Sequence, residues 1–144
     1  MNQTTMLNSA QWFLRLGLAA GFLSAVADRF GLWGLPGAPN VAWGEWSAFV
    51  DYVATLNWFA PAPLIPPLAW AATVAETLFA LGLLVGWRLR WFALASGLLL
   101  LSFALTMTIA LGVKAPLDFS VFAAAGGAFL LAAIATDGRP NGRV

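Results

Sequence analysis

Residues 64–86 form a long apolar run with one carboxylate, Glu76, near its middle. As a helix this run is long enough to cross the hydrocarbon core of a bilayer, which takes about 20 apolar residues. A carboxylate inside that core is costly, so it normally faces a partner, a cavity or a functional site. The main question that this sequence raises is therefore what lies opposite Glu76.

The chain as a whole is too apolar for a water-soluble domain. Of its 144 residues, 61% are hydrophobic and 9% are charged, whereas soluble domains carry about 25% charged residues. Backbone polar groups inside a bilayer must be paired within the chain, and the apolar runs are continuous rather than alternating, which predicts helices. A net charge of +1 with no basic cluster argues against nucleic acid as a partner.

Two residue types are missing from the sequence, and their absence narrows the chemistry. The chain has no Cys and no His, so disulfides, thiolate metal sites and a histidine general base are excluded. The glycines do not form a phosphate-binding loop, and the carboxylates are scattered. We therefore predict no metal site and assign no catalytic residue, and the sequence leaves open whether the chain is an enzyme.

The predicted fold is all-α, a bundle of four transmembrane helices in one membrane domain over residues 1–144. The spans are expected at about residues 9–27, 64–86, 91–111 and 119–135, and Asp137, Gly138 and Pro140 close the last one. Loop charges give the orientation. Arg88 and Arg90 lie in the second link, while Arg139 and Arg143 lie in the tail, so the positive-inside rule places both termini in the cytoplasm.

The long first loop, residues 28–63, contains a second kind of helix. Its apolar face is expected to carry Trp43, Trp46, Phe49, Val50, Val53 and Leu56, and its polar face Ser47, Asp51 and Thr55. An amphipathic helix rich in Trp suits an interfacial position, either on the bilayer or over the mouth of the bundle.

Arg15 is the partner that depth along the helices suggests for Glu76. Glu76 lies roughly 15 Å and Arg15 roughly 10 Å from the cytoplasmic face at 1.5 Å per residue, so we predict an ion pair between them. Thr73 and Thr77 are expected to add hydroxyl donors beside Glu76. Two alternatives stay open: Arg15 extends to the headgroups and Glu76 is neutral, or Glu76 is a proton or ligand site.

A second group of polar residues is predicted at the outer mouth of the bundle. It consists of Asp28, Arg29, Tyr52, Trp58, Lys114 and Asp118. These side chains would line a site for an amphipathic ring-bearing molecule such as a quinone or a sterol-like lipid. In the alternative interpretation, Lys114 neutralises the end of the third helix, Asp118 caps the fourth, and the Trp residues anchor the chain in the membrane.

Two pairs of glycines at a spacing of four residues allow close helix approach. They are Gly17 and Gly21 in the first span, and Gly82 and Gly86 in the second. Such pairs mediate either packing within one chain or assembly of a homo-oligomer.

The order of these features resembles the DoxX family of small bacterial membrane proteins over nearly the whole chain. The resemblance is carried by residues 15–18 (RLGL), 28–31 (DRFG), 75–78 (AETL), 81–86 (LGLLVG) and 112–119 (GVKAPLDF). It implies a four-helix bundle in the bacterial inner membrane, with Arg15 and Glu76 as the characteristic polar residues. It also implies a link to quinone-dependent redox systems, such as thiosulfate:quinone oxidoreductase, or to oxidative-stress complexes.

The function predicted from these features is a membrane protein that binds a lipophilic ligand, such as a quinone, as a subunit or accessory of a redox or oxidative-stress complex. The bilayer and a redox partner are the expected contacts. The alternatives are a small proton-coupled transporter that uses Glu76 and a structural homo-oligomer assembled through the glycine pairs.

Overall fold

The computed structural model describes residues 2–135, and all of their regular secondary structure is helical. The helices are α1 (Gln3–Arg29), α2 (Trp46–Leu56), α3 (Ile65–Val85), α4 (Leu89–Leu111), α5 (Lys114–Asp118) and α6 (Val121–Ile134), and a single 3-10 turn (Ala62–Leu64) leads into α3. The all-α prediction is confirmed. Three of the helical segments are long and apolar enough to cross a membrane: Gln3–Arg29, Ala62–Val85 and Leu89–Leu111.

The first helix is longer at both ends than the sequence predicted. It begins at Gln3 because the Asn2 side chain caps it, accepting the backbone N–H of Thr5 at 3.1 Å. At the other end it continues through Asp28 and Arg29, which were predicted to lie in the following loop. This extension matters for the site, because it places both charged residues on the last turn of a rigid helix.

The predicted fourth span is the least well matched. A short helix, α5, and a turn with Ser120 in the left-handed region (φ 54°) precede α6. Helix α6 has 14 residues, or about 21 Å at 1.5 Å per residue, which is less than the roughly 30 Å hydrocarbon core. The residues predicted to close this span, and the tail arginines Arg139 and Arg143, lie outside the described residues.

The long helices pack as neighbours in the order α1, α3, α4, α6, and α6 returns to α1. Helix α2 lies across α3, α4 and the end of α1, and we call this end of the molecule the α2 end. Away from it, the core is built from small and branched residues that include Ala19, Ala80, Leu83, Ala93 and Leu131. A second cluster, formed by Phe49, Val53, Ile65 and Ala69, joins α2 to α3.

Within α2 the predicted faces are confirmed, whereas Trp43, which was predicted on the apolar face, lies before the helix begins. Phe49, Val53 and Leu56 are buried, whereas Asp51 and Thr55 are exposed. The apolar face of α2 is thus turned into the protein, so this helix covers the other helices instead of resting on the bilayer alone.

Glycines let two pairs of helices approach closely inside the chain. A side chain at Gly82 would overlap the ring of Phe92 on α4, and one at Gly97 would overlap the ring of Phe129 on α6. Gly82 is therefore used within the molecule, and Gly86 ends α3 in the left-handed conformation. The second glycine pair does not form an open face, whereas Gly17 and Gly21 have no neighbouring atoms within 4 Å of an added Cβ.

We expect Gly82→Ala to destabilise the protein by about 1–3 kcal/mol, because an added methyl must displace a ring in a packed interface. The matched control is Gly126→Ala on α6, where the space beside the glycine is open and the change should be neutral or stabilising by up to about 1 kcal/mol. Equilibrium unfolding in detergent micelles measures both. Equal stability of the two variants would contradict the close packing of α3 on α4.

Candidate functional site

Glu76 is paired with Arg29, the last residue of α1. The Arg29 Nη2 atom donates to Glu76 Oε1 at 2.7 Å and to Oε2 at 2.8 Å, and Nη1 donates to the Thr73 hydroxyl at 2.8 Å. The two charged side chains are 3% and 2% exposed. Thr73 lies one turn before Glu76 on α3, so a single guanidinium ties the end of α1 to two successive turns of α3.

Aromatic rings of the α2 region cover the guanidinium. Its Cζ atom lies 3.8 Å from the ring centroid of Phe49 and 5.4 Å from that of Trp43, distances at which a cation is attracted by the ring face. The Arg29 Nε atom is buried and has no hydrogen-bond partner among residues 2–135. The pair is thus held by α1 and α3 and roofed by α2 and the segment before it.

Asp28 organises that roof. Its Oδ1 atom accepts the backbone N–H groups of Trp43 at 2.8 Å and Gly44 at 2.9 Å, and Oδ2 accepts that of Ala42 at 2.9 Å. Gly44 has φ +72°, and a Cβ there would collide with the backbone of Leu35 and Pro36, so glycine is required at this turn. Adjacent residues of α1 therefore fix the loop before α2 and the ion pair beneath it.

The predicted ion pair between Arg15 and Glu76 is wrong. Arg15 Nε donates to the Leu83 carbonyl at 2.7 Å, and Nη2 donates to the Leu84 carbonyl at 2.9 Å. These carbonyls belong to the last turn of α3, where no helical N–H is available to them. Arg15 also lies 3.8 Å from the ring centroid of Trp12. Its role is to cap the end of α3 that lies away from Glu76.

A cavity of about 1250 Å³ lies beside the ion pair, between α1, α3, α4 and α6 and beneath α2. Its walls are largely apolar. The polar side chains in them are Arg29, Glu76, Tyr52, Asn57, Ser102 and Thr106. Among residues 2–135, no hydrogen bond is made by the Tyr52 hydroxyl, and burial raises the pKa of this phenol. Tyr52 therefore stays protonated around neutral pH and is available as a hydrogen-bond donor.

Comparison with known proteins assigns the family. Residues 7–135 match the family model described as methylamine utilisation protein MauE. The chain belongs to the MauE family. This finding overturns the DoxX resemblance, so the oxidative-stress complexes inferred from that family lose their basis. No curated protein matches the sequence, and no solved structure does.

The MauE family is a family of membrane proteins, and the apolar helices of this member agree with that class. The protein is therefore a multi-pass membrane protein in contact with lipid. Among the described residues, no three His, Cys, Asp or Glu side chains come together in a way that would hold a metal ion. The functional groups of this MauE-family site are one ion pair, one phenol, hydroxyl and amide groups, and aromatic rings.

Three residues predicted at the mouth of this site lie elsewhere. Trp58 is 70% exposed and contacts Phe59, and it is not part of the cavity wall. Lys114 and Asp118 pair with each other at the surface, where their side chains are 84% and 55% exposed. The N-cap of α6 is Ser120, so Asp118 does not cap that helix. Amphipathic spacing and loop charge alone could not place these side chains.

Other predicted residues do belong to the site. Tyr52 lies in the cavity wall and Thr73 binds the ion pair, whereas the Thr77 hydroxyl donates to the Thr73 carbonyl at 2.8 Å and does not bind Glu76. Trp43 and Phe49 were predicted as part of the apolar helix face but not as residues of the site. Their aromatic character, in the loop and helix that follow the Asp28-Arg29 dipeptide, was the signal available in the sequence.

Proposed function

We propose that this MauE-family protein is a membrane-embedded accessory that binds a lipophilic molecule, such as a quinone, in the cavity covered by α2. The observation that carries the proposal is a cavity of about 1250 Å³ whose largely apolar walls contain a few polar side chains, among them Arg29, Glu76 and Tyr52. Ligand sites are commonly apolar clefts of about 300–1,000 Å³ with a few converging polar groups.

The polar side chains of the cavity wall favour a neutral head group over an ionic one. Arg29 and Glu76 neutralise each other through two short contacts, so the cavity presents no unbalanced charge to an anionic or cationic ligand. The Tyr52 hydroxyl is a donor for a carbonyl oxygen, and Trp43 lies 5.6 Å from the Tyr52 ring. A quinone ring offers both the carbonyl acceptor and the flat face that such a wall accommodates.

The membrane topology belongs to the same proposal. Helices α1, α3 and α4 each cross the bilayer, and α5 and α6 together complete a fourth crossing, which gives a four-helix bundle. Arg88 and Arg90 mark the cytoplasmic side by the positive-inside rule. Both termini are then cytoplasmic and α2 lies on the outer face of a bacterial inner membrane.

The family description suggests the system in which the protein acts. MauE is a protein of methylamine utilisation, and oxidation of an amine releases electrons that need an acceptor. A membrane protein with a bound quinone would suit a redox partner in such a system. We assign the chain an accessory role because, within the described residues, the polar side chains around this cavity include no nucleophile held against a base.

The other two functions inferred from the sequence have less support. For a proton-coupled transporter, the packed cluster around Ala80 and Leu83 stands between Glu76 and the end of α3 that Arg15 caps. For an oligomer, the burial of Gly82 removes one of the two glycine faces. Gly17 and Gly21 remain open, and both of them line the cavity.

Quenching of tryptophan fluorescence by a short-chain ubiquinone analogue tests the proposal, because Trp43 lies in the cavity wall. We expect the quinone to quench the tryptophan fluorescence of the purified protein in a saturable manner. Ala72→Phe fills part of the cavity and should weaken binding about tenfold or more, equivalent to at least about 1.4 kcal/mol. Tyr52→Phe removes one hydrogen bond and should weaken binding roughly two- to tenfold.

The matched control is Val74→Phe, which adds bulk on the same helix but at an exposed position outside the cavity wall. Its fluorescence should be quenched at the same quinone concentrations as that of the wild type. If the fluorescence of Ala72→Phe and that of wild type depend on quinone concentration in the same way, the quinone acts from the lipid or detergent and the proposal is wrong.

A further inference from the structure

Helices α1 and α6 contact each other away from the α2 end. There the Gln11 side chain donates to the Ile134 carbonyl at 3.1 Å, and the Leu14 side chain lies 3.2 Å from where a Cβ of Gly127 would be. Towards the α2 end, Gly17 and Gly21 of α1 and Val121 and Ala124 of α6 instead line the cavity. The two helices are therefore separated along this part of their length.

The cavity reaches the surface of the protein at this separation. Gly17 and Gly21 are exposed although they line the cavity, and no atom lies within 4 Å of an added Cβ at either position. At 1.5 Å per residue, Gly21 lies about 12 Å and Gly17 about 18 Å along α1 from Arg29. Both are inside an apolar helix long enough to span a membrane, so the opening faces acyl chains.

The opposite end of the cavity carries the groups that would hold a head. Arg29 lines the cavity with only 3% of its surface exposed, and the Tyr52 hydroxyl, which makes no hydrogen bond among the described residues, lies in the same wall. A ligand whose head is oriented by this end must extend its remaining atoms towards the opening.

We propose that the separation between α1 and α6 is a lateral opening through which the tail of a long-chain prenyl quinone passes from the cavity into the bilayer. This inference rests on the proposed function and specifies its ligand class. The ring lies beneath α2, the first part of the tail runs along Phe22 and Gly21, and a tail longer than about 18 Å leaves the protein beside Gly17. Glycine at both positions keeps this path free.

The test compares a long-tailed ubiquinone with a tailless ring analogue in lipid nanodiscs, with affinity expressed as a mole fraction of the lipid. We expect Gly21→Leu, and independently Gly17→Leu, to weaken binding of the long-tailed ligand about tenfold, equivalent to about 1.4 kcal/mol, with the tailless analogue bound as in wild type. The matched control is Gly126→Leu, in open space outside the cavity wall. It should leave the affinity for both ligands unchanged.

The outcomes separate the two proposals. The lateral opening is overturned if the Gly17 and Gly21 variants lose affinity for the two ligands to the same degree. It is also overturned if both variants bind the long-tailed ligand as wild type does. In either case the cavity remains the binding site. Failure of wild type to bind either ligand overturns the proposed function and this inference with it. Thermal unfolding of each variant confirms that the compared proteins are folded.

Discussion

Glu76→Ala is expected to destabilise the protein by about 3–5 kcal/mol, because truncating one member of a buried ion pair leaves the other charge unpaired. Arg29 would then retain the Thr73 hydroxyl as its hydrogen-bonding partner while still enclosed by Phe49 and Trp43. The measurement is equilibrium unfolding in mixed micelles. Asp118→Ala breaks an exposed ion pair and serves as the control, with an expected loss of at most about 1 kcal/mol.

A double variant distinguishes pairing from simple loss of volume. Arg29→Met combined with Glu76→Leu removes both charges and keeps apolar bulk, so it should recover much of the stability lost in Glu76→Ala. Arg15→Met combined with Glu76→Ala should instead be additive within about 0.5 kcal/mol, because these residues share no partner. Strong coupling of Glu76 to Arg15, together with additivity for Arg29, would restore the pairing that the structure contradicts.

Asp28→Ala is expected to release the loop before α2. Three backbone N–H groups lose an ionised acceptor at once, and hydrogen bonds to charged groups contribute roughly 1.5–3 kcal/mol each, so the combined loss should exceed about 3 kcal/mol. The amides of Ala42, Trp43 and Gly44, and those of α2 beyond them, should exchange with deuterium much faster, whereas amides near Ala80 on α3 should keep their protection.

Asp28→Asn is the intermediate case. Its remaining carbonyl oxygen can still accept from Trp43 and Gly44, but its amide group faces the N–H of Ala42 and cannot accept from it. We expect partial protection of the loop and of α2. If α2 exchanges in Asp28→Ala as slowly as in wild type, then Asp28 does not hold the roof of the cavity in place.

The helices were predictable because their physical signals are local. The lengths of the apolar runs placed α3 and α4 to within a few residues, and the 3.6-residue period identified the buried face of α2, with Phe49 and Val53 inside. The end of α1 was harder to place, because no Gly or Pro occurs between Gly21 and Gly31. An error of two residues moved Arg29 from a helix to a loop in the prediction.

The partner of Glu76 could not be deduced from depth alone. Arg15 and Arg29 are separated by nearly four turns of α1, so they lie within about 40° of each other around its axis. Both face α3, and the choice between them depends on how far α1 and α3 are shifted along each other. That shift is set by tertiary contacts, such as the capping of Leu83 and Leu84 by Arg15, which no periodicity reveals.

Neither the cavity nor the family could be predicted from the sequence pattern. A void depends on where helices diverge, and the sequence signal for that divergence, Gly17 and Gly21, is equally typical of a tight interface. An arginine, a buried glutamate and a basic turn in this order occur outside the DoxX family as well, since residues 7–135 match MauE. Composition and the long apolar runs identified a membrane protein, and the family came from the comparison.

The most direct test of the account is an experimentally determined density map of the wild-type protein in nanodiscs that contain a long-chain quinone. The expected result is the Arg29 guanidinium bound to Glu76, with elongated non-protein density beginning near Tyr52 beneath α2 and ending between α1 and α6 beside Gly17. A map in which Glu76 is bound to another residue or faces the acyl chains, with the cavity filled by side chains, would contradict the account.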